Sequence, residues 1–116
     1  MKNNNIESAL AYYKAFEDKD IQAIAQHLHP EVQFVAPMGE NKGKDAVVEA
    51  AKRLIPLVKS INVRAKFASG DQVVLVYDMN LTGPVTVCPT AVLMTFKEGL
   101  IARTELYYDA RPFGNL

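Results

Sequence analysis

Asp78 is the residue in this chain best situated to do chemistry. It shares one face of a strand with Val74, Val76 and Asn80. A carboxyl on an apolar interior face holds its proton to higher pH unless a cation pairs with it, and such a group serves as an acid or a base. The competing arrangements are an ion pair with Arg64 or Arg103 across a sheet, or a place at a wet rim. Tyr12 offers a phenolic donor on an otherwise apolar helix face, which lines a pocket or packs with its hydroxyl on a carbonyl or water. His27 and His29 are two residues apart at a helix end, where side chains diverge by about 200°. A metal would need further ligands from elsewhere, and none is evident, so no metal site is expected. No histidine is placed by the sequence to activate Cys88, which reads as a small buried hydrophobe. No glycine-rich phosphate loop or dinucleotide fingerprint is present, and no cofactor is expected.

The chain that must position these groups has 116 residues, the length of one domain, 1–116. Residues of the AVILMFWYC set make up 49%, enough for a core without staples, and the single cysteine has no partner for a disulfide. Thirteen Lys and Arg balance thirteen Asp and Glu. That removes the basic excess a nucleic-acid binder needs to displace counterions. The apolar runs fall short of the roughly 20 residues of a membrane span. The opening Met1-Lys2-Asn3-Asn4-Asn5 lacks the apolar core of a signal peptide, so a cytoplasmic protein is expected.

The first half reads helical. Ile6, Ala9, Leu10, Tyr13 and Phe16 recur at helical spacing, with Asn4 or Asn5 able to cap the start. Asp20 caps a second, short helix carrying Ile21, Ile24, Ala25 and Leu28, which Pro30 ends. Val32, Phe34 and Ala36 share one face of a strand that Pro37-Met38-Gly39 stops, and 41–44 form a turn. A third helix begins near Asp45 and is broken at Pro56. Four strands follow, over 61–67, 72–81, 85–97 and 100–109, with turns at Ser69-Gly70-Asp71, Gly83-Pro84 and Glu98-Gly99. Helices segregated from an antiparallel meander predict an α+β domain with helices packed on one face of a curved sheet. Residues 73–81 are apolar on both faces, and a two-fold homodimer through the open face of the sheet would cover the excess.

The succession of stretches resembles the nuclear transport factor 2-like superfamily, in particular its SnoaL-like and ketosteroid-isomerase-like branches. The stretches are Ala11-Tyr12-Tyr13-Lys14-Ala15-Phe16, Asp18-Lys19-Asp20-Ile21, His27-Leu28-His29-Pro30-Glu31-Val32-Gln33-Phe34, Gly43-Lys44-Asp45-Ala46-Val47 and Leu106-Tyr107-Tyr108-Asp109. The resemblance implies a cone-shaped barrel, three helices on a strongly curved, mostly antiparallel sheet, with an apolar pocket at the wide end and frequent dimers. It does not imply one reaction, because a fold of this kind hosts many. Tyr12 matches the tyrosine that in ketosteroid isomerase bonds the developing oxyanion. The place of the isomerase's base holds Ala36, and that of its protonated aspartate holds Val92, so steroid isomerisation by that mechanism lacks its carboxylates. Of the Asp–Arg–Asp set of limonene-epoxide hydrolase, the arginine's place holds Asp78 and the places of the two acids hold Asn80 and Leu106, so that constellation is absent too. The comparison nevertheless turns positions 78 and 80 into the pocket.

On this basis the expectation is a pocket protein for a small, largely apolar molecule. Asp78 does acid/base work and Tyr12 stabilises an oxyanion if the protein is an enzyme of the isomerase, cyclase or dehydratase kind. Asn80 and Tyr108 join Phe16, Phe34, Met38, Leu54, Val58, Val92 and Met94 as ligand contacts. The alternative is a non-catalytic module for dimerisation or protein interaction.

Overall fold

The computed structural model describes residues 4–113. Met1–Asn3 of the opening polar segment and the last three residues of the expected 1–116 domain lie outside the described residues. The elements are α1 (Asn5–Glu17), α2 (Ile21–Gln26), β1 (Leu28–Ala36), β2 (Gly39–Lys42), α3 (Lys44–Leu54), β3 (Val58–Ser69), β4 (Gln72–Leu81), β5 (Val87–Lys97) and β6 (Leu100–Tyr108). One-turn 3-10 helices cover Ile55–Leu57 and Arg111–Phe113.

Local chemistry sets the boundaries. Asn4 occupies the N-cap of α1 without a side-chain cap bond, whereas the Asp20 carboxylate caps α2 by accepting from the Ala23 N–H at 3.1 Å. Pro56 lacks the N–H that a further α turn would use, so α3 tightens into the 3-10 turn before β3. The connection between α1 and α2 turns through Lys19, which sits at φ 57°. Its ammonium donates to the carbonyls of Ile55 at 2.7 Å and Val58 at 2.8 Å, tying that turn to the far end of α3. The β5–β6 hairpin closes through Glu98 and Gly99, both at positive φ, a type I′ loop whose twist matches the strands it joins.

The strands form one six-stranded sheet in the order β2-β1-β6-β5-β4-β3. β1 and β6 run parallel, and every other neighbouring pair is antiparallel. The expected α+β class is the one found, with three helices on a mostly antiparallel sheet. The sheet does not close: β2 and β3 are its edges. β2 was expected as a stop and a turn. It forms because Pro37 and Met38 reverse the chain, letting residues 39–42 pair back on Ala36 to Gln33. Register shifts at Val63/Ala65 and Thr95/Phe96 mark bulges, which bend a strand and raise its twist.

The helices cover one face, α1 against β3 and β4 and α3 against β1. Strict alternation on β4 sends Val73, Leu75, Tyr77, Met79 and Leu81 under the helices. Ile24, Leu28, Val32, Val92, Met94 and Ile101 complete the centre, none more than 1% exposed. Burying one such side chain contributes about 1.5–3 kcal/mol. Among the described residues no helix is long and apolar enough to cross a membrane.

Candidate functional site

A hollow of about 290 Å³ opens at one end of the sheet, between the inner faces of β4, β5 and β6 and the ends of β1 and α3. Its apolar walls include Phe34, Met38, Leu54, Leu57, Met79, Leu81, Leu106 and Phe113. Four further lining residues, Tyr77, Cys88, Thr90 and Tyr108, carry a hydroxyl or thiol. None of the lining side chains bears a carboxyl, imidazole, amine or guanidinium group.

Strand register brings the polar groups together. Tyr77 on β4 lies opposite Thr90 on β5, and Thr90 lies opposite Tyr108 on β6. All three point inward, with Cys88 two residues along from Thr90. The Thr90 hydroxyl donates to the Cys88 carbonyl at 3.1 Å, and its oxygen lies 3.6 Å from the Cys88 sulfur. With the threonine proton engaged, the thiol is left as the donor of that weak contact. Tyr13, from α1, stacks at a tilt on Tyr77 with ring centroids 4.8 Å apart, and the two hydroxyls are hydrogen-bonded.

Burial dominates the electrostatics. It pushes Tyr12, Tyr13 and Tyr77 well above the ordinary phenol range, and the neighbouring tyrosines add to the effect. It also raises the Cys88 thiol and Tyr108. The polar row is therefore neutral at physiological pH: a set of hydrogen-bond donors with no proton acceptor stronger than a hydroxyl oxygen. Such groups can orient a carbonyl or hydroxyl in an apolar hollow.

The residues singled out from the sequence divide cleanly. Phe34, Met38, Leu54 and Tyr108 line the hollow. Asp78 and Asn80 do not: the structure puts them on the opposite face of β4, a correction of the sequence expectation. Tyr77, Met79 and Leu81 point in instead, because the larger apolar side chains of a strand turn toward the helices and the Asp and Asn turn out. The Asp78 carboxylate meets Arg64 of β3 at 3.3 Å, the ion pair held open as the competing arrangement. Asn80 donates to the Ser60 hydroxyl at 3.0 Å. Tyr12 and Phe16 are also displaced from the expected site, since they pack edge to face with each other behind the hollow. Tyr12 has Tyr13 on one side and the His27 ring on the other. Val58, Val92 and Met94 are buried core without lining the hollow. His27 is held below its usual range by burial, and His29 accepts the Glu31 N–H through Nδ1. Among the described residues no three His, Cys, Asp or Glu side chains come together as a metal site would require.

Sequence reasoning missed Tyr77, Cys88 and Thr90 as lining groups. The signal was available in the odd-numbered face of β4, which carries Val73, Leu75, Tyr77, Met79 and Leu81 without a charge, while the even face carries Asp78. Phe113 lies beyond the last strand and gave no periodic signal at all.

Comparison with known proteins agrees with this architecture. A crystal structure of a protein from Kribbella flavida superposes with a TM-score of 0.89 at 24% identity, covering 97% of this chain and 93% of that one. An NTF2-like protein of unknown function from Cytophaga hutchinsonii gives 0.85 at 23%, covering 97% and 96%. TerC, co-crystallised with polyporic acid, gives 0.82 at 26%, covering 98% of each chain. Curated proteins yield no match. The family model of the SnoaL-like domain matches residues 9–104. With the helices, the mixed sheet and most of its length accounted for by that match, the chain belongs to the SnoaL-like domain family, within the nuclear transport factor 2-like superfamily.

Proposed function

We propose that the protein binds a small, neutral, largely apolar molecule in the hollow and orients it through the hydroxyls of Tyr77 and Tyr108. One observation carries the proposal: an apolar hollow whose polar lining groups, among the described residues, are uncharged and set side by side on three strands. An anion or cation would lose its hydration there and gain no partner of opposite charge. Size supports the same class. A dry cavity of about 150 Å³ accepts benzene, so a hollow near 290 Å³ suits a molecule of about two rings. Co-crystallisation of TerC with polyporic acid is consistent with a ligand-binding use of this fold.

Catalysis, on this proposal, is limited to what donors can do. Burial keeps the Tyr77 hydroxyl protonated, which suits it to stabilise negative charge growing on a carbonyl oxygen. Tyr12 supports the ring of Tyr13 from behind and does not contact the ligand. No lining residue would abstract a proton, so turnover requires a substrate that carries its own base or rearranges without one.

Calorimetric titration tests this with 4-phenylphenol, neutral at pH 7, against biphenyl-4-carboxylate, its anionic counterpart. The expected result is saturable binding of the phenol and none of the carboxylate. At a hundredfold excess over Kd the phenol should add about 2.7 kcal/mol of stability. A protein indifferent to both compounds would refute the proposal.

A second use is favoured by a different observation. On the outer face of the sheet Phe67, Val74, Leu93, Val76, Ala91 and Tyr107 sit in adjacent register positions across β3 to β6. Phe67 and Tyr107 are more than half exposed. A second copy of the chain packed on this face would cover the patch. Sedimentation equilibrium should report a dimer that Leu93→Arg converts to a monomer. A monomeric unmodified protein at micromolar concentration would remove this use.

A further inference from the structure

We propose that Phe113 sets the upper size of the ligand, by walling the hollow off from a second apolar hollow that would otherwise extend it. The inference rests on the binding role proposed above and goes on to name what limits it. The second hollow measures about 350 Å³ and is lined mainly by Pro84, Val85 and Pro112, together with the three residues common to both, Leu57, Leu81 and Phe113.

The three shared residues are not equivalent. Leu81 ends β4, pairs with Val58 of β3, and its N–H donates to the Thr86 carbonyl at 2.9 Å. The Leu57 carbonyl accepts the Thr82 N–H at 2.8 Å. Both are therefore fastened to the sheet through their backbones. Phe113 is held differently. It stands on a single 3-10 turn after the last strand, closed by its own N–H on the Ala110 carbonyl at 2.9 Å. Its ring meets Tyr108 edge to face, with centroids 6.0 Å apart. The turn is clasped from outside, where the Arg111 guanidinium grips both oxygens of Asp109 at 2.7 to 3.2 Å. Of the shared wall, Phe113 carries the largest side chain and stands beyond the last strand, so truncating it opens the most space with the least disturbance to the sheet.

Both hollows are apolar, so a molecule that outgrows the first can enter the second without exchanging solvation for charge. With the ring present the site accommodates two rings. With it absent the joined space more than doubles and takes a third ring in line.

The test is a titration of 4-phenylphenol and 4-hydroxy-p-terphenyl, followed by ligand fluorescence, against the unmodified protein, Phe113→Ala, and Phe113→Ala with Val85→Trp. The unmodified protein should prefer the two-ring phenol at least tenfold. Phe113→Ala should improve terphenyl binding at least tenfold and remove the preference for the two-ring phenol. Val85→Trp, which fills the second hollow, should abolish that gain. Circular dichroism checks that each variant folds. If both phenols bind but the preference is unchanged in Phe113→Ala, the size-limiting role is overturned and the binding role stands. An unmodified protein that binds both phenols equally overturns it as well. If neither phenol binds any of the three proteins, the binding role fails and this inference fails with it.

Discussion

Replacing Tyr77 by Phe removes the partner of the Tyr13 hydroxyl and leaves that hydroxyl where almost no water reaches, since Tyr13 is 5% exposed and Tyr77 1%. A buried donor stripped of its partner costs about 1–3 kcal/mol, against about 0.5–1.5 kcal/mol for a bond lost without an orphan. Tyr13→Phe strands the Tyr77 hydroxyl in the same way. Each single change should therefore cost about 2 kcal/mol. The double variant leaves no orphan and should cost clearly less than the two together, a coupling of about 1–2 kcal/mol. Urea unfolding at pH 7 reads this directly: with slopes of about 1–3 kcal/mol per molar urea, Tyr77→Phe moves the midpoint by on the order of 1 M. Single costs that add to within about 0.5 kcal/mol of the double variant would show that the two hydroxyls do not interact.

Three further outcomes follow from the same physics. Tyr12, Tyr13 and Tyr77 are raised by burial, so their contribution is complete below about pH 10, where unfolded phenols keep their protons. Above that value stability falls by about 1.4 kcal/mol per pH unit for each, and alkaline titration should show their ionisation arriving together with loss of the circular dichroism signal, not before it. Lys19→Met keeps the aliphatic stem but strands the Ile55 and Val58 carbonyls; it should lose about 1–2 kcal/mol in urea unfolding, and an unchanged midpoint would mean the bridge is idle. Glu98→Asn places a residue tolerant of positive φ where Glu is held at 55° and should gain about 0.5–1 kcal/mol, whereas a lowered melting temperature would contradict the loop assignment.

Wherever periodicity was long and one-sided, the elements were legible from the chain alone. Ile6 to Phe16 gave α1, and the alternation after residue 60 gave β3 to β6. β2 was invisible because four polar residues carry no apolar pattern, and what defines it is a reversal at Pro37 and Met38. On β6 Tyr108, expected as a ligand contact, lines the hollow. On β4 the inward face was taken from the likeness to a hydrolase, and the apolar content of the odd positions argued the other way. A slip of one residue exchanges every side chain of a strand between faces. That slip moved Asp78 from the rim of an ion pair into an imagined interior. Tyr13 was visible as a core aromatic, but its bond to Tyr77 joins residues far apart in sequence, and no local pattern encodes such a pairing.

β6 occupies an unusual place for the final strand: it stands in the middle of the sheet, with β1 on one side and β5 on the other. The N-terminal hairpin of β1 and β2 reaches the meander of β3, β4 and β5 only through it. Until residues 100–108 are made, only the helices link the two ribbons, and each offers a bare edge to whatever lies nearby. Joining them brings Phe34 beside Thr104, residues far apart in sequence, a distant pairing that makes assembly slow. Cutting the chain short at the Glu98-Gly99 loop would therefore yield no smaller domain, only two halves of a sheet without their keystone.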